Sequence, residues 1–166
     1  MKLYIMRHAE AQQETESGSD EARSLTVRGH ERTRKAAAGL RTLKLRFDAI
    51  VTSPLLRATE TAELIADEYS NDPHPQVLPA LSPNVPEGEA AAALGRFAHH
   101  TKVLVVGHEP QLSRLVGLLL NNNNRIAINL KKGACVALDL PKAIEPGAAE
   151  LCWMLTQRQL RKLRRR

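Results

Sequence analysis

Four residues carry the types and positions that phosphorus chemistry asks for. Arg7 and His8 follow the apolar run Leu3–Met6, Arg57 comes shortly after Ser53-Pro54, and His108 follows Val103–Val106 and Gly107. A neutral imidazole is a good nucleophile near pH 7, because its ordinary pKa of about 6.5 leaves much of it deprotonated. A guanidinium group presents a planar fork of donors that matches phosphate oxygens two at a time. Two such groups can hold a phosphoryl group while negative charge shifts across its equatorial oxygens. A second histidine, when protonated, adds a further donor, and it sits where a helix N-terminus also favours anions. With arginines supplying the charge, neither a metal nor another cofactor is expected. The chain has no GxGxxG and no GxxxxGK[ST], so neither phosphate loop supports a nucleotide cofactor.

These residues must be positioned by strands. Lys2–Met6, Asp48–Thr52 and Lys102–Val106 read as short buried strands, the last being the most clearly β-branched and apolar. Thr26 is placed to cap a helix whose Ala36, Leu40 and Leu43 share one face. Ser53-Pro54 reads as a helix start, with Leu55, Ala58, Ala62 and Ile65 inward. Glu10–Ser24 is a polar loop, and residues 70–88, with five prolines, are loop-rich. Residues 89–98 read as a helix with Ala90, Leu94 and Phe97 inward. Gly107–Pro110 turns into another, striped by Leu112, Leu115, Val116 and Leu119. After a polar linker at Asn121–Asn124, Ile126–Leu130 and Ala134–Leu140 read as strands around a Lys131-Lys132-Gly133 turn, with a last strand at Glu150–Thr156. Alternating strands and helices imply an α/β fold: a three-layer α/β/α sandwich on a mostly parallel sheet. Ligands of open α/β sheets bind beyond the carboxyl ends of the strands, which would gather Arg7, His8, Arg57 and His108 on one rim.

The 166 residues fit one domain, expected over 1–156 with a basic tail at 157–166. The formal charge is +6, but residues 157–166 hold six of the 24 cations and none of the 18 acids, leaving a neutral body. That argues against a nucleic-acid binder coated in positive charge. The tail, with Arg158, Arg161, Lys162 and Arg164–Arg166, reads as a solvated end or as a device that steers an acidic phosphoprotein. Cys135 and Cys152 lie in apolar runs without CxxC spacing, as buried free thiols would. No stretch approaches a signal-peptide core or a membrane span, so a cytoplasmic protein without a membrane partner is expected. His30, His74, His99 and His100 lack ligand-like spacing and read as surface or helix-end residues.

Met6–Glu10 (MRHAE), Thr52–Ala62 (TSPLLRATETA) and Val105–Pro110 (VVGHEP) resemble the three signature segments of the histidine phosphatase (phosphoglycerate mutase-like) superfamily, in order, and Leu25–Gly29 (LTVRG) resembles its LTxxG segment. The resemblance spans roughly residues 1–155. It implies that His8 attacks phosphorus and becomes a transient phosphohistidine, that Arg7 and Arg57 bind the phosphoryl oxygens, that His108 donates to them, and that water then hydrolyses the phosphoenzyme. Only about 50 residues separate Arg57 from His108. The mutases carry a larger insertion there. The short chain therefore resembles the SixA-type phosphohistidine phosphatases, whose substrates are histidine-phosphorylated phosphotransfer proteins.

The chain departs from the pattern at Ala9, where many members have Gly. By the same resemblance the general acid is Glu109, next to the second histidine, or Glu87, on the segment after the Arg57 helix. A phosphohistidine substrate, with imidazole as leaving group, needs neither. A small-molecule phosphomonoesterase is the alternative function, and it does need one.

Overall fold

The central ladder follows from three apolar segments that alternate two faces. In the computed structural model, which describes residues 1–13, 18–70, 72–122, 126–141 and 143–164, these are β1 (Lys2–Arg7), β2 (Ala49–Thr52) and β4 (Lys102–Gly107). With β3 (Pro75–Val77), β5 (Cys135–Asp139) and β6 (Glu150–Leu155) they form one six-stranded sheet, in the order β3-β2-β4-β1-β5-β6. The first four strands in that order run parallel, while β5 pairs antiparallel with β1 and β6 antiparallel with β5.

Successive strand residues point to opposite faces, and both faces are covered. Leu3, Ile5, Val51, Val103 and Val105 pack with α3 (Glu87–Leu94) and α4 (Gln111–Asn121). Tyr4, Met6, Ile50, Leu104 and Val106 pack with α1 (Val27–Thr42), α2 (Leu56–Asp67) and α5 (Gln157–Leu163). The fold is the expected α/β/α sandwich, and the chain belongs to the α/β class.

Several elements differ from the sequence reading. Thr26 caps α1 as expected, accepting the Gly29 N–H at 2.9 Å, but Leu43 is exposed and the buried face is Ala36, Ala37 and Leu40. The helix expected at Ser53-Pro54 begins only at Leu56, because Ser53 continues the sheet. The loop-rich segment holds the edge strand β3, and the helix read at 89–98 starts earlier, at Glu87, and ends in a 3₁₀ turn at Gly95–Phe97. Ile126–Leu130 is not a strand. It runs as irregular chain whose Leu130 is buried while its carbonyl accepts from Arg7, so the backbone serves the site and not a ladder. Both cysteines are free thiols, but only Cys135 is buried; Cys152 faces out from the edge strand β6.

The basic segment differs most. Residues 157–163 are α5, not a frayed end. Thr156 accepts from the Gln159 N–H while the Gln159 side chain accepts from Thr156, forming a capping box. Leu160 is fully buried, with its backbone against Gly39 of α1, where a Cβ would lie 1.9 Å from the Leu160 carbonyl oxygen. Parts of four expected segments fall outside the described residues: 14–17 of the polar loop, Asn71 of the loop-rich stretch, Asn123 and Asn124 of the linker, and Arg165 and Arg166 of the basic segment. Among the described residues no helix is long and apolar enough to cross a membrane.

Candidate active site

Strand register builds the site. Arg7 stands beside Gly107 on β4, and Thr52 stands beside Val106. The ladder runs one residue further on each side: the His8 N–H donates to the Gly107 carbonyl and the Ser53 N–H to the Val106 carbonyl, both at 3.0 Å. Arg7-His8, Ser53 and Gly107-His108 therefore leave the sheet side by side at its carboxyl edge. Arg57 reaches the same place from the first turn of α2. Gly133 closes the floor. Its N–H lies 3.1 Å from the carbonyls of both Arg7 and His8, and it does so at φ +70°, a conformation that favours glycine.

His8 is only 5% exposed. Its Nδ1 lies 2.7 Å from the Ala9 carbonyl oxygen. A carbonyl oxygen only accepts, so neutral His8 carries its proton on Nδ1 and its lone pair on Nε2. Burial is the main reason its pKa falls to about 4; the Ala9 bond opposes this, and the charges of Arg57, Arg7 and Lys132 add to it.

His108 is 2% exposed, with its ring centroid 5.0 Å from that of His8. Its Nε2 meets Ser53 Oγ at 2.8 Å, and its buried Nδ1 has no partner among the described residues. Burial first, then His8, Arg57 and Arg7, lower its pKa to about 3, with Asp20 opposing. Without ligand it is therefore neutral, where the sequence reading gave it a role when protonated. A doubly negative phosphoryl group beside it reverses the sign of the local field and favours the imidazolium.

The arginines are held differently. Arg7 donates from Nη1 to the Leu130 carbonyl at 3.2 Å, and its buried Nε has no partner among the described residues. Arg57, 5% exposed, donates to the main-chain oxygen of Asp20 at 2.7 Å and to its carboxylate at 2.9 Å. The same carboxylate accepts from Arg23 at 2.6 Å. Hydrogen bonds from Arg23 and Arg57 hold the Asp20 carboxyl below its ordinary pKa.

Both oxygens of Glu109 are taken up by Ser113, one by its N–H at 3.0 Å and the other by its hydroxyl, so this carboxylate caps the start of α4. Its charge is nonetheless felt by Arg7. Glu87 lies in the first turn of α3, after a loop that Gln111 holds through the carbonyls of Ala80 and Val85. Ala9 is buried in a small apolar cluster with Ala11, Leu25 and Leu64. Among the described residues no group of three or more His, Cys, Asp or Glu is arranged to hold a metal ion. His74 and His99 are exposed, and His30 lies 3.9 Å from Glu60.

The sequence reading missed Asp20, Arg23 and the tie from Ser53 to His108. Asp20 and Arg23 lie three apart in a polar loop, and only the fold brings them to Arg57. Ser53 carried a visible signal but was read as a helix cap.

Comparison with known proteins gives a consistent result. Residues 3–82 match the model of the histidine phosphatase superfamily (branch 1). An uncharacterised protein of Picosynechococcus sp. (strain PCC 7002) is 38% identical over 83% of this chain and 84% of its own. The phosphohistidine phosphatase SixA of Escherichia coli (strain K12) is 30% identical over 94% of each chain. The solved structure of the protein histidine phosphatase SixA complexed with tungstate superposes with a TM-score of 0.85 at 28% identity, covering 96% of this chain and 99% of that one. Fold, motif order and relatives agree: this chain belongs to the histidine phosphatase superfamily, whose membership supports phosphatase activity.

Proposed function

We propose that the protein is a phosphohistidine phosphatase acting on histidine-phosphorylated phosphotransfer proteins. The observation that carries this reading is the bond from His8 Nδ1 to the Ala9 carbonyl, which leaves Nε2 as a lone pair beside two guanidinium groups. His8 Nε2 attacks the phosphorus, and the P–N bond to the substrate imidazole breaks as the new P–N bond to His8 forms. The departing imidazole takes its proton from solvent. Water then attacks phosphorus, the bond to His8 breaks, and phosphate leaves. Arg7 and Arg57 hold the phosphoryl oxygens throughout, and His108 donates once the anion has raised its proton affinity. The two arginines supply the charge, so this mechanism uses no metal. Glu109 is engaged by Ser113, which agrees with a leaving group that needs no strong acid. The short stretch between Arg57 and His108 leaves room for a folded substrate.

The test is a substrate panel in chelator, spanning phosphohistidine proteins, sugar phosphates and nucleotides. The expected result is turnover of phosphohistidine protein by the wild type, none by His8→Ala, and labelled phosphate trapped on His8. Good turnover of a sugar phosphate with none of any phosphohistidine protein would overturn it. The phosphomonoesterase reading would then predict that Glu109→Gln or Glu87→Gln slows ester hydrolysis roughly 10²–10⁴-fold, the usual worth of general acid catalysis.

A further inference from the structure

The cations expected to form a loose tail instead flank the site. Gly133, whose N–H meets the His8 carbonyl, lies directly under Gln157, the first residue of α5; a Cβ on Gly133 would be 2.5 Å from the Gln157 side chain. From there an open groove of about 600 Å³ runs between the Lys131 turn and α5, lined by Lys131, Thr156, Arg158, Gln159 and Lys162. Lys131, Lys132, Arg158 and Lys162 are all exposed, and residues 151–166 contain no acid to neutralise them. Lys132 sits near enough to the nucleophile for its charge to lower the His8 pKa. Lys132 lines a neighbouring groove with Gln157 and with Glu10, whose carboxylate is paired with Arg32 at 3.0 Å, so the unpaired charge on the track from the edge of the active site along α5 is positive. Among the described residues no aromatic side chain lines the groove along α5 to stack a nucleic-acid base.

We propose that this track docks an acidic segment of the protein that the enzyme dephosphorylates. The proposal rests on the phosphohistidine reading above and adds the surface that holds the substrate. Charge arranged beside a site raises encounter rates about 10–10³-fold, and the gain falls steeply with salt. Fixing Lys131, Arg158 and Lys162 on a turn and a capped helix keeps that charge in one place relative to His8, which a frayed end would not.

The experiment uses two synthetic phosphohistidine peptides, one flanked by a run of glutamates and one by a run of serines, with the wild type and K131Q/R158Q/K162Q. At about 20 mM salt the wild type should favour the glutamate peptide by about tenfold in kcat/KM, and about 0.5 M salt should remove the preference. The variant should lose the preference while keeping its rate on the serine peptide. Equal rates on both peptides, or an unchanged preference in the variant, would overturn the proposal. Anisotropy of a labelled, unphosphorylated glutamate peptide tests the track without turnover: binding lost in the variant supports it, and no binding by the wild type overturns it. If neither phosphopeptide is hydrolysed while a small phosphate ester is, the phosphohistidine reading fails, and the anisotropy result alone decides the track. A single-stranded oligothymidine bound as well as the glutamate peptide also overturns the assignment to an acidic protein segment.

Discussion

The Arg57 guanidinium donates two hydrogen bonds to Asp20, one to its main-chain oxygen at 2.7 Å and one to its carboxylate at 2.9 Å. The arrangement is that of an anion on an arginine fork, and the anion is supplied by the protein. Arg57 is buried, but the Asp20 side chain is 59% exposed and is shared with Arg23. On the proposed mechanism, a phosphoryl group approaching Arg57 meets a carboxylate already in place. Asp20→Asn keeps a carbonyl oxygen to accept from Arg57 but removes the negative charge. A partly exposed ion pair is worth up to about 1 kcal/mol, so inorganic phosphate should inhibit the variant more tightly, by up to about fivefold. A competitive inhibition constant that is unchanged or weaker would show that Asp20 does not oppose the ligand.

The bond between Ser53 and His108 predicts a loss in turnover. Ser53 is fully buried, its Oγ accepts the Leu55 N–H at 3.3 Å, and it orients His108 through Nε2. With Nε2 satisfied by Ser53, Nδ1 is the nitrogen left for a phosphoryl oxygen. Ser53→Ala leaves a buried ring nitrogen unpaired at a cost of about 1–3 kcal/mol and frees the ring to turn. We expect kcat to fall by about tenfold or more with KM changed little, and Ser53→Thr to restore part of it. Steady-state kinetics on any turned-over substrate separates the two constants.

Gly133 couples the backbone of Arg7 and His8 to α5. Gly133→Ala places a side chain at φ +70° and presses it into Gln157. The left-handed conformation alone costs roughly 1–2 kcal/mol, and a chain of this size loses about 2–4 °C in Tm per kcal/mol. A drop of at least several degrees is expected. Gly133→Ala with Gln157→Ala should recover the part due to the clash and leave the part due to φ. Thermal unfolding of Gly133→Ala, Gln157→Ala and the double variant tests both halves.

How far the site could be read from sequence depended on how local its determinants were. Arg7, His8 and His108 directly follow strands with clear apolar runs, so strand periodicity and the rule about carboxyl edges suffice to bring them together. Arg57 needed the further step of a helix that begins near a strand end, and that helix starts two residues later than its Ser-Pro signal suggests. Asp20 was invisible, because a loop carries no periodicity to say where it folds back. The charge arithmetic also misled at 157–166. Six cations suggested a solvated end, yet Thr156 and Gln159 were a capping box in plain view, and Leu160 was the apolar residue that anchors the helix.

Leu160 gives that correction a measurable consequence. Truncating a fully buried leucine to alanine costs about 2–5 kcal/mol, so Leu160→Ala should lower Tm by roughly 4–20 °C. A solvated end would leave Tm unchanged. Deleting residues 157–166 should be worse still, since it uncovers Leu40 and the rest of that face of α1.

The depressed histidines predict how stability depends on pH. His8 and His108 have an ordinary value of 6.5 and fall to about 4 and about 3 in the folded protein, chiefly through burial. As pH drops below about 6.5 the unfolded chain takes up protons at these two positions before the folded one does. Stability is therefore greatest above about pH 6.5, and it declines as pH falls toward 4, with a slope approaching two protons. Asp20, Asp48 and Asp139, whose carboxyls lie below their ordinary 3.8, act in a more acidic window. Urea midpoints at pH 7.5, 6 and 5 should fall in that order, and His8→Asn with His108→Asn should flatten the trend. Ring chemical shifts of His8 and His108 that titrate near 6.5 would contradict the burial argument directly.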